Sequence, residues 1–494
     1  MLFNTIEFML FFPVVTLLYY LLPHHWRWLM LLAASCFFYM WFIPKYILIL
    51  LITIVIDYYA GILIERESCG RRPVDSPDGS HTQKTNNCHN TRATTILAIS
   101  IVSTCMVLFI FKYLNFCSEN LVALAQHFGW SHPSRVLSIA LPIGLSFHTF
   151  QSLSYVIEVY RGNQRAERHF GYYALYVMFY PQLVTGPIER PQSLLRQLHE
   201  NQPLRYDNVV NGLRLILFGL FLKMVVADNL GTMVDAVYAT PQNYGRADIL
   251  LAMVLYSFQI YGDFFGYSTI ALGCALAMGI TLIDNFRTPY LSTSIREFWR
   301  RWHISLSSWF RDYLYIPLGG NRVGIPRWMF NTMVVFTVCG LWHGANWTFI
   351  VWGAAYGVLL IIERLVRGPK PLGGSGGFRK QNPATGHQPL ATITTFIIVT
   401  ILWSVFRAPS FEALGNLYIA LFQGGGTEHL HAAPYVWVAL AAFIALDIVL
   451  RKTRFDAWCS RLAMPLRWGI YAVMIFSIIV FSSVEQYPFI YFQF

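Results

Sequence analysis

The chain has 494 residues, of which 55% are hydrophobic and only 12% are charged, and its mean hydropathy is +0.46. In soluble domains about a quarter of the residues are charged. This composition therefore excludes an ordinary soluble protein and predicts an integral membrane protein. The net charge of +11 does not indicate a nucleic-acid partner, because the basic residues cluster in loops between apolar runs. We therefore expect the lipid bilayer to surround the chain.

Eleven apolar runs have about the length that a membrane-spanning helix needs, roughly 17–25 residues. They lie near residues 3–22, 27–43, 45–64, 96–115, 136–160, 208–237, 248–281, 347–365, 389–406, 434–450 and 467–485. The N-terminus has no basic region and no clear small-residue cleavage site, so we expect the first run to be a retained span and not a signal peptide.

Two further apolar segments, 171–188 and 328–342, are too short or too interrupted for a regular span. Pro181, Gly186 and Pro187 break the first of them. Broken helices persist at membrane depth only where protein or a water-filled cavity satisfies their backbone, which favours a re-entrant element. The predicted fold is all-α: a polytopic transmembrane bundle of about 11–12 spans with re-entrant and interfacial helices, forming one domain over residues 1–494.

Basic residues alternate between the loops. Residues 65–95, 282–327, 364–380 and 451–467 hold five, seven, five and five lysines or arginines, whereas 116–135 and 407–433 hold one each. The positive-inside rule places the basic loops in the cytoplasm and both termini outside. Residues 66–95 and 366–388, which are rich in small and polar residues, are expected to be flexible cytoplasmic loops.

The eight cysteines do not predict a metal centre. Cys69 and Cys88 share one polar loop with His81 and His89, but their spacing matches no zinc motif. We expect free thiols in a reduced compartment and no bound metal.

Residues 293–312 have the pattern of one amphipathic helix. Trp299, His303 and Phe310 share a stripe, and Glu297 can pair with Arg301 one turn later. A basic, aromatic helix of this kind is most often an interfacial anchor. The alternative is that its apolar stripe turns inward and carries His303 to a cavity.

His343 is the strongest candidate for chemistry. It lies between apolar segments, where an ionisable side chain is costly and often functional. Gly340 and Gly344 permit close approach of a backbone or ligand. Asn346 is near enough in sequence to orient the imidazole, and Trp342 and Trp347 can wall the site. A histidine that titrates near neutral pH can take a proton from a hydroxyl. The alternative is a packed histidine that hydrogen-bonds between helices.

Two more polar residues interrupt apolar runs. Asp263 needs a partner at membrane depth, and we expect an arginine such as Arg287 or Arg296. His148 is expected to close an interhelical hydrogen bond or to line a cavity.

The residues above belong to motifs that resemble the membrane-bound O-acyltransferase family, in particular its bacterial branch of alginate O-acetyltransferase membrane subunits. The matching stretches cover the middle half of the chain in the expected order: 141–162, 180–188, 263–268, 285–290, 297–309 and 340–347. Thr269 and His148 depart from that branch, which usually has an acidic residue and a tyrosine there. Neither departure touches His303 or His343.

The resemblance implies a helical bundle with a central funnel, His343 as the catalytic residue and His303 as its partner. It implies a cytoplasmic acyl thioester, such as acetyl-CoA, as the donor substrate, with no permanently bound cofactor. We expect Trp299, Arg300, Arg301, Trp342 and Asn346 to contact substrate, the arginines by gripping phosphates of the donor.

In that branch the acyl group leaves on the outer face of the bacterial inner membrane, where an SGNH-type extracytoplasmic acetyltransferase modifies a polysaccharide such as alginate. The expected function is therefore O-acyl transfer, with acetyl as the expected group. D-alanyl transfer to teichoic acid and peptidoglycan O-acetylation are the alternatives within the family. A transporter that moves its cargo unmodified is the alternative from another class.

Overall fold

The computed structural model describes residues 1–68, 91–130, 142, 144–183, 186–368, 388–482 and 489–490. Most of the two expected cytoplasmic loops, 66–95 and 366–388, lies outside the described residues, as do Cys69, Cys88, His81 and His89. The chain forms two compact units. Unit 1 comprises Met1–Ile216 and Ile270–Ile283, and unit 2 comprises Leu217–Thr269 and Asp284–Phe494.

Unit 1 is built from helices. These are α1 (Ile6–Leu21), α2 (His24–Met40), α3 (Ile47–Glu67), α4 (Thr91–Leu108), α5 (Leu114–His127), α6 (Leu145–Tyr160), α7 (Phe170–Met178), α8 (Tyr180–Leu183), α9 (Pro191–His199) and the first part of α10 (Tyr206–Leu220). A π-helical turn, Phe109–Tyr113, joins α4 to α5.

Unit 2 begins within α10 and is also helical. Its helices are α11 (Asp228–Ala239), α12 (Arg246–Ala277, whose last turns belong to unit 1), α13 (Ile295–Arg301), α14 (Ile304–Phe310), α15 (Ile325–His343), α16 (Trp347–Arg367), α17 (Pro389–Arg407), α18 (Phe411–Gln423), α19 (Pro434–Val449), α20 (Phe455–Cys459) and α21 (Met464–Phe481). A π-helix, Phe221–Ala227, connects α10 to α11. No strand occurs in the described ranges of either unit, so the all-α prediction is confirmed.

Eight helices in the described part of the chain are long and apolar enough to cross a membrane. They are Pro44–Glu67, Thr91–His127, Tyr206–Ala239, Arg246–Ala277, Trp347–Val366, Pro389–Arg407, Pro434–Lys452 and Met464–Phe481. The predicted runs 3–22, 27–43 and 136–160 form the shorter helices α1, α2 and α6, of 16, 17 and 16 residues. The last is short because Gly144, with φ +78°, starts α6 later than hydropathy suggests.

The interrupted segment 171–188 is broken as expected. Helix α7 ends at Met178, and the single turn α8 follows after Phe179. Side chains take over the hydrogen bonds that a continuous helix would make: the Tyr180 N–H donates to Ser35 Oγ (3.1 Å), and Gln182 Nε2 donates to the Tyr176 carbonyl (2.6 Å). Irregular backbone in this unit is therefore satisfied by buried protein groups.

Residues 293–312 do not form one helix, and this prediction was wrong. Helix α13 ends at Arg301 and α14 starts at Ile304, because His303 adopts the left-handed conformation with φ +44°. An α-helix cannot continue through such a residue. His303 and Trp299 consequently do not lie on one helical stripe, although Glu297 and Arg301 pair as predicted, at 2.6 Å.

Candidate active site

His303 occupies the break between α13 and α14 and is completely buried. Its ring meets the edge of Phe264 on α12, with ring centroids 4.6 Å apart. Burial lowers the pKa of His303 from 6.5 to about 3, because a low-dielectric surrounding disfavours the charged imidazolium. His303 is therefore neutral at physiological pH.

Asn285 lies in the segment before α13, and its hydrogen bonds connect that segment to the turn at His303. Its side-chain Oδ1 lies 3.2 Å from the Ser305 N–H, 2.7 Å from Ser305 Oγ and 3.3 Å from His303 Nδ1. Its Nδ2 donates to Ser268 Oγ on α12 at 3.0 Å, and its backbone carbonyl accepts from the Ile304 N–H at 2.9 Å. One buried amide thus ties His303 to α12 and α14.

His343 is the last residue of α15 and is 5% exposed. Trp352 of α16 and Phe406 of α17 meet its ring edge to face, with centroids at 5.1 and 5.3 Å. Gly340 and Gly353 let α15 and α16 approach so closely that a Cβ on either would lie 2.2 Å from a backbone carbonyl of the other helix. The predicted role of Gly340 in close backbone approach is confirmed.

Trp342 is a neighbour of both histidines. Its indole is 4.9 Å from the His343 ring and 6.4 Å from the His303 ring, centroid to centroid. The two imidazoles are thus at most about 11 Å apart and share one buried aromatic neighbour. Helices that are distant in sequence bring together the two residues that the sequence motifs selected.

Of the other residues expected to contact substrate, Arg301 is paired, Arg300 is exposed and Trp299 is buried. Arg301 is engaged by Glu297 and by Thr288 Oγ1 (3.2 Å), while Arg300 is exposed at the same helix end. Trp299 is buried against Trp352, with centroids 5.8 Å apart.

Asn346 has a structural function that the sequence reading did not anticipate. Its Oδ1 caps α16 by accepting from the Thr348 N–H (3.1 Å), and its Nδ2 donates to the Pro409 carbonyl (2.6 Å). Both side-chain atoms are occupied by backbone groups, so the expectation that Asn346 orients His343 has no support in this geometry. Trp347, which we expected to wall the site together with Trp342, is 50% exposed, whereas Trp342, Trp352 and Phe406 all pack on the His343 ring.

The partner predicted for Asp263 was also wrong. Lys223, in the π-helix before α11, contacts Asp263 at 2.8 Å and Asp228 at 2.7 Å, and its side chain is 1% exposed. The Ile490 N–H completes the cluster by donating to Asp263 at 2.8 Å. Lys223 was missed because it is a single cation inside a long apolar run, where no short-range pattern indicates its partners.

His148 does not close an interhelical hydrogen bond, which was one of its two expected roles. It is 2% exposed, neither ring nitrogen has a hydrogen-bond partner among the described residues, and its ring packs edge to face on Tyr39 at 6.2 Å.

Comparison with known proteins identifies the family. Residues 163–368 match the sequence model of the family described as "MBOAT, membrane-bound O-acyltransferase family". This range contains both His303 and His343. A "Probable alginate O-acetylase AlgI" of Azotobacter vinelandii is 37% identical over 447 residues, which cover 89% of this chain and 82% of that protein. The chain belongs to the membrane-bound O-acyltransferase family.

The names of other relatives refer to different polymers. A "Peptidoglycan O-acetyltransferase" of Helicobacter pylori is 35% identical over 343 residues, 64% of this chain and 62% of that protein. A "Teichoic acid D-alanyltransferase" of Streptococcus thermophilus is 31% identical over 240 residues, 45% of this chain and 56% of that protein. This member of the family is thus a multi-pass membrane O-acyltransferase, which favours an enzyme over the transporter alternative.

Proposed function

We propose that the chain takes an acetyl group from a cytoplasmic thioester and passes it across the inner membrane for O-acetylation of an extracytoplasmic polysaccharide. The observation that supports acyl transfer is the buried pair of His303 and His343, which share Trp342 as a neighbour. The similarity to alginate O-acetylases over 89% of the chain supports acetyl as the group and a polysaccharide such as alginate as the final acceptor.

In the proposed reaction His343 acts as general base. It accepts the proton of the acceptor hydroxyl while that oxygen attacks the thioester carbonyl carbon. The carbon–sulfur bond then breaks, and the leaving thiolate takes the proton back from the imidazolium, so the products are an ester and a free thiol. The aromatic rings of Trp342, Trp352 and Phe406 exclude water from the imidazole, which suppresses hydrolysis of the thioester.

Acetyl-CoA is the proposed donor, as a substrate and not a bound cofactor. Arg300 supports this, because it is exposed at the end of α13 and a guanidinium can grip phosphate oxygens bidentately. Loss of hydration by neighbouring protein atoms, and then the positive charge of Arg296, lower the pKa of Arg300, but an arginine remains protonated in proteins. Arg301 is held by Glu297 and is the weaker of the two phosphate candidates.

The basic loops support an orientation with residues 282–327 in the cytoplasm and both termini outside. An SGNH-type acetyltransferase on the outer face is the proposed receiver of the acetyl group. Its support is that the longest outer loop of the proposed topology, residues 407–433, is too short to bind and position a polymer.

The test is complementation of a deletion strain of the source organism with variants at matched membrane levels. Ester-linked acetate on secreted polysaccharide is released by alkali and measured. His343→Ala should lower it by roughly 10²–10⁴-fold, and His303→Ala should remove much of it. His24→Ala is the control, because His24 lies near the surface, where its Nε2 is 3.1 Å from the His199 carbonyl. Near-normal acetylation by a monodisperse His343→Ala protein would overturn the mechanism.

D-alanyl transfer is the second candidate, favoured by the similarity to a teichoic acid D-alanyltransferase over 45% of the chain. The same experiment separates the two. Alkaline release of D-alanine, in place of acetate, that depends on His343 would identify D-alanine as the transferred group.

A further inference from the structure

We infer that Asn285 is a positioning residue for His303: it fixes the proton of the imidazole on Nδ1 and leaves Nε2 as a hydrogen-bond acceptor. This rests on the proposed function only for the role of His303 in transfer. The tautomer itself follows from the hydrogen bonds around Asn285.

The orientation of the Asn285 amide is determined by a backbone group. The Ser305 N–H can only donate, and it lies 3.2 Å from the atom assigned as Oδ1. Turning the amide over would place its NH₂ against that N–H and leave two donors facing each other. The oxygen therefore faces Ser305, and the same oxygen faces His303 Nδ1 at 3.3 Å.

An oxygen acceptor at Nδ1 selects one form of a neutral imidazole. If Nδ1 were unprotonated, two lone pairs would face each other within a fully buried site, where an unmade hydrogen bond is costly. Nδ1 consequently carries the proton, and Nε2 presents its lone pair.

The left-handed backbone of His303 also needs contacts that hold it in place. His303 has φ +44° and ψ +57°, and Thr288, whose hydroxyl accepts from Arg301, has φ +45°. Non-glycine residues in this region cost about 1–3 kcal/mol and persist where surrounding contacts hold them. Asn285 provides such contacts to His303 itself and to the two residues that follow it, Ile304 and Ser305.

The tautomer limits what His303 does in transfer. A bare Nε2 accepts a hydrogen bond and cannot donate one to the oxyanion that forms on the thioester carbonyl. His303 therefore orients a substrate by accepting a hydrogen bond from an N–H or O–H group other than the hydroxyl whose proton His343 takes, and stabilisation of the oxyanion falls to other donors.

The tautomer is tested by ¹⁵N NMR of the full chain in detergent with labelled histidine. The His303 signals are assigned by their loss in His303→Gln. We expect a protonated Nδ1 and an unprotonated Nε2 in the wild type. In Asn285→Ala both tautomers should be populated. A wild-type spectrum with the proton on Nε2 would overturn the inference, whatever the transferred group proves to be.

Acetylation by the same variants tests the positioning role. Asn285→Ala should lower polysaccharide acetylation about tenfold, the loss of one hydrogen bond. Asn285→Asp should restore most of it, because a carboxylate accepts from His303 and Ser305, and the Ser268 hydroxyl can rotate to donate.

Asn229→Ala is the matched control, since Asn229 is a buried amide of the same unit with four hydrogen bonds of its own. It should lower thermal stability without changing the His303 tautomer. Equal losses of acetylation in Asn285→Ala, Asn285→Asp and Asn229→Ala, with an unchanged His303 spectrum, would reduce Asn285 to a structural residue.

Discussion

Replacing Gly353 by alanine is expected to abolish most acyl transfer without contacting any substrate. A Cβ on Gly353 would lie 2.2 Å from the Phe336 carbonyl oxygen and 3.0 Å from the Gly340 Cα, both backbone atoms that cannot rotate away. To reach an ordinary contact of 3.4 Å, α15 and α16 must separate by about 1.2 Å. His343 ends α15 and packs on Trp352 of α16, so its imidazole moves with the helices.

A misplacement of about 1 Å costs roughly 10²-fold in rate, and overpacking a core costs about 1–3 kcal/mol of stability. Polysaccharide acetylation and thermal unfolding in detergent measure the two effects. Gly415→Ala is the control, because Gly415 lies in α18 with nothing within 4 Å of its Cβ position. If Gly353→Ala retained full acetylation, the close approach of the helices would not set the position of His343.

Two further predictions concern buried charge. Lys223→Met should lower the free energy of unfolding by about 3–5 kcal/mol, because it leaves Asp228 and Asp263 without their cation. Adding Asp263→Asn should recover part of that loss, and thermal melts that show additive losses would contradict the pairing. The contribution of His303 to stability should be complete above pH 6.5 and decline as pH falls toward 3, since the unfolded state binds the proton first. The melting temperature of His303→Gln should lack this decline, and identical pH profiles for both proteins would refute it.

Hydropathy predicted the helices well because spanning the bilayer constrains length and composition strongly. The runs near 45–64 and 389–406 lie within helices of 24 and 19 residues, and the run near 248–281 overlaps a helix of 32 residues that ends at Ala277. Periodicity failed at residues 293–312, because a single left-handed residue at His303 interrupts a helix without changing its amphipathic pattern.

The candidate site was predictable only in part. Motif resemblance selected His303 and His343, and the structure brings both to Trp342. Their other neighbours, Asn285 and Trp352, reach the site through contacts between distant segments. Sequence spacing cannot show such contacts, and it suggested the nearby Asn346 instead.

The cluster of Lys223, Asp228 and Asp263 has a consequence for how the chain enters the membrane during synthesis. A lysine or aspartate near the centre of a helix adds roughly 2.5–3.5 kcal/mol to its insertion free energy. The segment Tyr206–Ala239 carries the first two of these residues, and their third partner lies in the next long helix, Arg246–Ala277. We therefore expect stable integration of the earlier segment to depend on a helix that leaves the ribosome later.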